Sequence, residues 1–322
     1  MMSKIRYINK LIYEMTLDCR AKKKNLSRML KISPQLVSYS TKKLKKDKYI
    51  LDYKAQIDPA KFGMTNVIVY IIFTNFEKEL ERAVKEQLRQ SENVTLIQKL
   101  SQGADLCVEY TVPNLSLFNK LHSGFLDTFG KDVQVVDIFP VIVKHDFPKK
   151  YLNRRSKHRL SKILSGDREP VHLQENARKV LSELIKNPTQ NMMEITKKTG
   201  LNIRTVIKMK RFLESRKIIM GYTAVLNYEK MDINACQVLI NFDYLKSDEI
   251  KRIINYAMYV PEIVSIIKII GRYTLIIKIE SLGSYRKVLN DLRKEFRLYN
   301  YVVYDIENII KKDYIPESAI SG

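Results

Sequence analysis

Apolar residues recur at helical spacing near the start of the chain: Ile5, Ile8, Leu11, Ile12 and Met15 share one stripe. The same stripe returns at Ala177, Val180, Leu181, Leu184 and Ile185, where Asn187-Pro188 stops it. Shifted by 169 residues, the chain lines up with itself. Leu11 falls on Val180, Tyr53 on Tyr222, and Val69, Ile71 and Phe73 on Val238, Ile240 and Phe242. The period is far longer than a solenoid repeat, so a multi-domain unit has been duplicated. Each copy predicts a second short helix, near 25–31 and 191–199. The later one opens on the capping-box run Asn191-Met192-Met193-Glu194 and closes on Gly200. A third helix starts at Ser33-Pro34, with Ser as N-cap and Pro at the first helical position, and at Asn202 in the second copy. Extended, β-forming runs follow at Tyr49 to Ala55 and Ile218 to Ala224. Three helices and a small ribbon predict a winged helix-turn-helix in each copy.

The remainder of each copy alternates differently. Strands are predicted at 66–74, 94–101, 105–112 and 132–140, with helices at 77–90 and 115–129. The second copy repeats this with strands at 234–244, 262–270, 273–280 and 301–309 and helices at 247–259 and 282–297. The order βαββαβ is ferredoxin-like, with both helices on one face of the sheet. The other face must bury against something, and the matching sheet of another copy is the simplest partner. The predicted fold class is α+β: two winged helix-turn-helix domains (1–62 and 174–232), two βαββαβ units (63–148 and 233–322) and a basic linker at 149–173.

Composition sharpens this. The chain has 322 residues, 45% hydrophobic, with a formal charge of +22, which points to a polyanionic partner. The charge is sorted: +11 in 1–62 and −3 in 63–148, then +6 in the linker, +6 in 174–232 and +2 in 233–322. Charge that only aids solubility has no reason to gather on the winged helices, whereas charge that neutralises DNA phosphates does. The linker run Lys149 to Arg159 reads either as a solvated connection or as an added phosphate contact. The longest apolar run, Val67 to Phe73, is too short to cross a bilayer. No signal peptide is read at the N-terminus, and Cys19, Cys107 and Cys236 stand far apart, so a cytoplasmic protein is expected.

In the third helix of copy one, Leu36, Val37, Ser40 and Leu44 are predicted to face the core. Residues in the first turns of such a helix reach base edges, and later basic residues hold phosphates. The base-reading candidates are Ser33, Gln35, Ser38 and Tyr39, with Arg204, Thr205 and Lys208 in the second copy. The phosphate candidates are Lys42, Lys43, Lys45, Lys46, Lys210 and Arg211.

The run Leu30 to Val37, then Leu44, Tyr49-Ile50 and Tyr53 to Gly63, resembles the Lrp/AsnC (feast/famine) transcription regulators. Copy two keeps the pattern in Thr199-Gly200-Leu201 and Gly221 to Asn227. Those regulators join one winged helix to one βαββαβ effector-binding unit, called RAM, and dimerise through the RAM sheets. The resemblance implies double-stranded DNA as partner, a covalent pseudo-dimer, and homo-oligomers through the RAM sheets. It also implies a small effector such as an amino acid at the RAM interface, by the turn between the second and third strands. The matching positions are Gly103, Ala104, Asp105 and Gly271, Arg272, Tyr273, Thr274. There are departures: Ser38, Tyr39 and Ser40 stand where arginines are common, and Lys48 and Lys217 where a glycine is common before the wing. The two recognition helices also differ, which predicts an asymmetric operator.

His122, His145, His158 and His172 show no metal-ligand spacing, and no phosphate loop or nucleophile elbow is present. The chain therefore reads as a regulator without cofactor, not as an enzyme. Two alternatives stay open: an enzyme like the siroheme decarboxylases, which share this architecture, and a small-molecule sensor with degenerate DNA-binding domains.

Overall fold

A computed structural model of the chain describes residues 2–75, 77–159, 161–242 and 247–321. The side chain of Ile5 and the expected strand positions 243 and 244 lie outside the described residues. The first unit contains α1 (Met2–Leu17), α2 (Lys23–Leu30), α3 (Pro34–Lys46) and β1 (Ile50–Ile57). It continues with β2 (Thr65–Phe73), α4 (Lys78–Gln90), β3 (Val94–Leu100), β4 (Leu106–Val112), α5 (Leu115–Phe129) and β5 (Val133–Asp146). A short strand, β6 (Lys162–Leu164), interrupts the connection. The second unit repeats the order with α6 (Glu175–Lys186), α7 (Met192–Thr199), α8 (Ile203–Ser215) and β7 (Ile219–Leu226). It ends with β8 (Asn234–Ile240), α9 (Ser247–Tyr259), β9 (Ile263–Ile269), β10 (Leu275–Ser281), α10 (Arg286–Phe296), β11 (Tyr301–Lys312) and α11 (Ser318–Ser321). The fold is the expected tandem α+β arrangement.

The two sheets do not stay separate. The strand order is β2-β4-β3-β11-β8-β10-β9-β5-β6, and β2 also pairs with β5, so the sheet closes on itself. Two long strands make the closure. The first part of β5 runs against β2 up to Pro140, and residues 141–146 then run against β9 of the other copy. Proline cannot donate to a ladder, so it suits the point where the strand changes partner. In the same way β11 runs against β8 up to Ile306 and then against β3. Both strands are therefore longer than the hydrophobic pattern of one unit requires.

The helix-free faces meet inside this ring. Ile68, Tyr70 and Phe139 of the first copy pack in one cluster with Leu239, Ile267 and Tyr304 of the second. The helix-covered faces form separate cores, one around Val69, Leu88 and Phe125, the other around Val238, Ile253 and Leu292. The surface expected to join sheets is thus already covered within one chain.

The winged helices are joined as well. β1 pairs antiparallel with β7, so the ribbon takes one strand from each copy. Ala55 and Ile57 of β1 lie in the core of the second winged helix with Leu184, Val206 and Leu213. Ile315 and Ile320, beyond β11, pack into that same core. The linker is built in rather than merely solvated: Tyr151 and Leu152 are buried, Arg154 pairs with Glu262, and β6 extends the sheet beside β5.

Candidate nucleic-acid interface and interior cavity

Both recognition helices are capped as the sequence requires. The Ser33 hydroxyl accepts from the Leu36 N–H at 3.1 Å, and the Asn202 side chain accepts from the Thr205 N–H at 2.8 Å. The buried stripes are Val37, Ser40 and Leu44 in α3, and Val206 and Leu213 in α8. Leu36 is a correction: it was expected in the core, yet it is exposed. It sits about 100° around the helix from Val37, outside the stripe that the three-and-four spacing selects. Ile203 is exposed too, at the first turn of α8. Both lie beside the positions expected to read bases.

The remaining candidates divide by what already holds them. Gln35, Tyr39, Arg204 and Lys208 are exposed. Ser38 is half-buried and accepts from the Lys23 ammonium at 2.9 Å, and Thr205 is half-buried. Lys42, Lys43, Lys46 and Arg211 are exposed, with no ion-pair partner among the described residues. Lys45 instead lies 3.5 Å from Asp52 and over the Tyr53 ring. Lys210 is paired with Glu214 and lies over the Tyr222 ring. Their charges are met locally, which leaves them less free for a phosphate. Lys48 and Lys217, the residues at the usual glycine position, both adopt left-handed backbone (φ 59° and 53°). The conformation is kept although the residue type is not.

The effector-turn residues are held in the contact between copies. A Cβ on Gly103 (φ +82°) would stand 2.5 Å from the Tyr304 ring, and one on Gly271 would stand 2.7 Å from the Phe139 ring. Ala104 is buried, and Asp105 accepts from the Phe73 N–H at 2.7 Å. Arg272 binds Asp137 at 2.7 Å and lies over Tyr273, and Thr274 donates to the Ile240 carbonyl at 3.2 Å. Both turns border Tyr304: Gly103 packs on its ring, and Arg272 acts on its hydroxyl.

Sequence reasoning missed the polar interior. A cavity of about 140 Å³ lies inside the ring, beneath the β1–β7 ribbon. Its walls carry four lysines (Lys144, Lys149, Lys278, Lys312) and three carboxylates (Glu109, Asp146, Glu280). Glu280 is fully buried. It accepts from Lys149 and Tyr228, and from Tyr151 at 2.8 Å, with Lys278 at 3.4 Å. Burial pushes its carboxyl up, but Lys149, Lys278 and Tyr228 outweigh this and bring it down to about 2. Lys278 goes against its own ordinary range: burial, with repulsion from Lys149 and Lys144, lowers it despite Glu280. Lys149 is therefore the main stabiliser of the carboxylate. Burial opposes the Lys144 charge, but Glu109 (3.8 Å) and Asp146 more than offset it and hold that ammonium above its usual range. The signal was present in the strands: Glu109, Lys278 and Glu280 interrupt runs that are otherwise buried on both faces.

No family model matches the chain. An uncharacterised HTH-type transcriptional regulator of Pyrococcus furiosus is 32% identical over 101 residues, which is 31% of this chain and 66% of that relative, just under two thirds of its length. Among solved structures, the siroheme decarboxylase NirDL superposes with a TM-score of 0.59 at 15% identity, covering 98% of this chain and 97% of its own. Its complex with an iron-uroporphyrin III analogue gives 0.58, covering 96% and 93%. An AsnC family transcriptional regulator from Agrobacterium tumefaciens covers 44% of this chain and 94% of its own, at 17% identity and a TM-score of 0.40. The chain is thus similar to an HTH-type regulator in sequence, and it shares its whole-length fold with an enzyme. The expectation of a non-enzymatic protein is overturned on this point: the end-to-end likeness is to a decarboxylase.

Proposed function

We propose that this chain is a sequence-specific DNA-binding transcription regulator of Lrp/AsnC type, acting as a covalent pseudo-dimer. Its winged helices are assigned to 1–62 and 174–232, and its RAM-like units to 63–148 and 233–322. The observation that carries this reading is the pair of exposed, unlike recognition helices held together by the β1–β7 ribbon. The first turns present Gln35, Leu36 and Tyr39 on one helix and Ile203, Arg204 and Lys208 on the other. Lys42, Lys43, Lys46 and Arg211 supply free cations for phosphates. A ribbon shared between copies fixes the separation of the helices, so two half-sites are read at one spacing, and the unlike side chains read unlike bases. Closure of the sheets within one chain leaves other surfaces for any homo-oligomer.

Selection from random duplex DNA tests this. An asymmetric site with two dissimilar halves is expected, with affinity falling steeply as salt rises. A palindrome would remove the two-reader mechanism, and binding insensitive to salt would remove the phosphate contacts.

One observation favours a second reading, catalysis like that of a siroheme decarboxylase: the end-to-end fold likeness to NirDL. The interior cavity does not help it as it stands. Drug-sized ligands occupy pockets of roughly 300–1,000 Å³, and a tetrapyrrole is larger still, whereas this cavity holds about 140 Å³. Turnover of siroheme by the purified chain would establish the second reading.

A further inference from the structure

The interior charges are not related by the duplication. Glu109 pairs with Leu96 in the β3–β4 ladder, and Lys278 pairs with Ser265 in the corresponding β9–β10 ladder. Lys312 stands opposite Leu96 on one side, and Asp146 stands opposite Ser265 on the other. The registers therefore make Glu109 equivalent to Lys278 and Lys312 equivalent to Asp146. A homodimer would place the same residue at both positions, whereas the fused chain carries opposite charges and an asymmetric interior.

The asymmetry leaves one cation, Lys312, beyond ion-pair distance of any carboxylate among the described residues. Glu280 is served by Lys149 and Lys278, and Glu109 and Asp146 hold Lys144. Lys312 has no ion-pair partner among the described residues, and its ammonium lies 4.7 Å from the centroid of the Tyr314 ring. Burial, and then Lys144, bring it down to about 8 against the pull of Glu109 and Asp146. A second group is also unmet. Gln98, a fully buried wall of the same cavity, accepts from the Gln237 amide at 2.7 Å, but its own Nε2 finds no acceptor. Leaving a buried donor unpaired is unfavourable, and a ligand oxygen would relieve it.

We propose that this cavity binds a small monocarboxylate without an amino group, whose oxygens take the Lys312 ammonium and the Gln98 side-chain amide. Size supports the class: about 140 Å³ is close to an engineered cavity of roughly 150 Å³ that holds benzene, so about six non-hydrogen atoms fit. Charge supports it as well. The excess of one lysine over the carboxylates matches a single negative charge. A doubly charged phosphate would carry more negative charge than the single excess lysine matches, and an ammonium group would meet an already positive interior. Ile267, Ile276 and Ile309 in the walls suit a short carbon tail. Gln56 of β1 and Thr223 to Leu226 of β7 roof the cavity, so an occupant would touch the ribbon that joins the winged helices.

Calorimetry on the full chain at pH 8 tests this with propionate, butyrate and pyruvate as probes. Saturable one-to-one binding of at least one is expected, with net proton uptake as the bound carboxylate favours the charged form of Lys312. Comparing buffers of different ionisation heat reads that uptake. Lys312→Met and Gln98→Leu should each weaken binding by at least ~10-fold, and thermal unfolding checks that both variants fold. Inorganic phosphate and 2-aminobutyrate should bind more weakly than the best probe. The proposal is overturned if no probe saturates, if both folded variants bind as the parent does, or if phosphate or 2-aminobutyrate binds best. The measurement needs no DNA, so its failure would leave the DNA-binding reading standing.

Discussion

Replacing Glu280 with Gln separates the work of the interior charges from that of the surrounding apolar packing. The side chain is fully buried between Lys149, Lys278 and two tyrosine hydroxyls. Its carboxyl falls from an ordinary 4.5 to about 2. A drop of that size links to roughly 3 kcal/mol of folding stability at neutral pH. A carboxyl lowered in the folded state contributes fully above its unfolded value near 4.5 and loses the contribution as pH falls toward 2. By pH 3 about 2 kcal/mol of it should be gone. Glu280→Gln keeps the shape, but its single amide oxygen can accept from only one of Tyr151 and Tyr228, and it leaves two ammonium groups without their carboxylate. Breaking one side of a buried pair costs roughly 3–5 kcal/mol. Urea unfolding of both proteins at pH 7, 5, 4 and 3 reads the difference. The gap in unfolding free energy should be widest at pH 7 and narrow by about 2 kcal/mol at pH 3. A gap that stays constant over this range would refute the assignment of the low pKa to Glu280.

The joint variant Lys42→Ala, Lys43→Ala should lower the slope of log affinity against log salt by about 1.8 and weaken DNA binding about 30-fold at 0.15 M salt. Fluorescence anisotropy with a labelled duplex measures both, and Lys45→Ala, whose charge Asp52 already meets, should change the slope less. Lys48→Gly should stabilise the first winged helix by roughly 0.5–1 kcal/mol, because glycine takes its left-handed backbone without the Cβ clash; a lower melting temperature would count against this. Gly103→Ala should destabilise by roughly 2–4 kcal/mol through both its backbone and the Tyr304 ring, against about 1 kcal/mol for Gly200→Ala, where nothing lies within 4 Å. Denaturant midpoints of the two variants compare the turn between copies with an open helix end.

Much of the architecture was legible along the chain. Helix and strand periods, the caps at Ser33, Asn191 and Asn202, and the repeat itself arise from neighbours a few residues apart. Such signals survive without knowledge of the fold. The two copies, the βαββαβ order and the exposed positions Gln35, Tyr39, Arg204 and Lys208 follow from them. Leu36 marks the limit: an apolar residue beside the buried stripe reads as core until the helix is seen against its neighbours. Tertiary structure alone decided the rest. Pairing of β1 with β7, the change of partner along β5 and β11, and the closed ring join strands from the two copies, and no local pattern specifies a partner at that distance. The interior charges belong to the same class. Glu109, Lys278 and Lys312 are ordinary polar residues in a sequence. They become a cavity with one unmet cation only when strand closure carries them out of water, where each charge needs a partner that the chain has to bring from elsewhere.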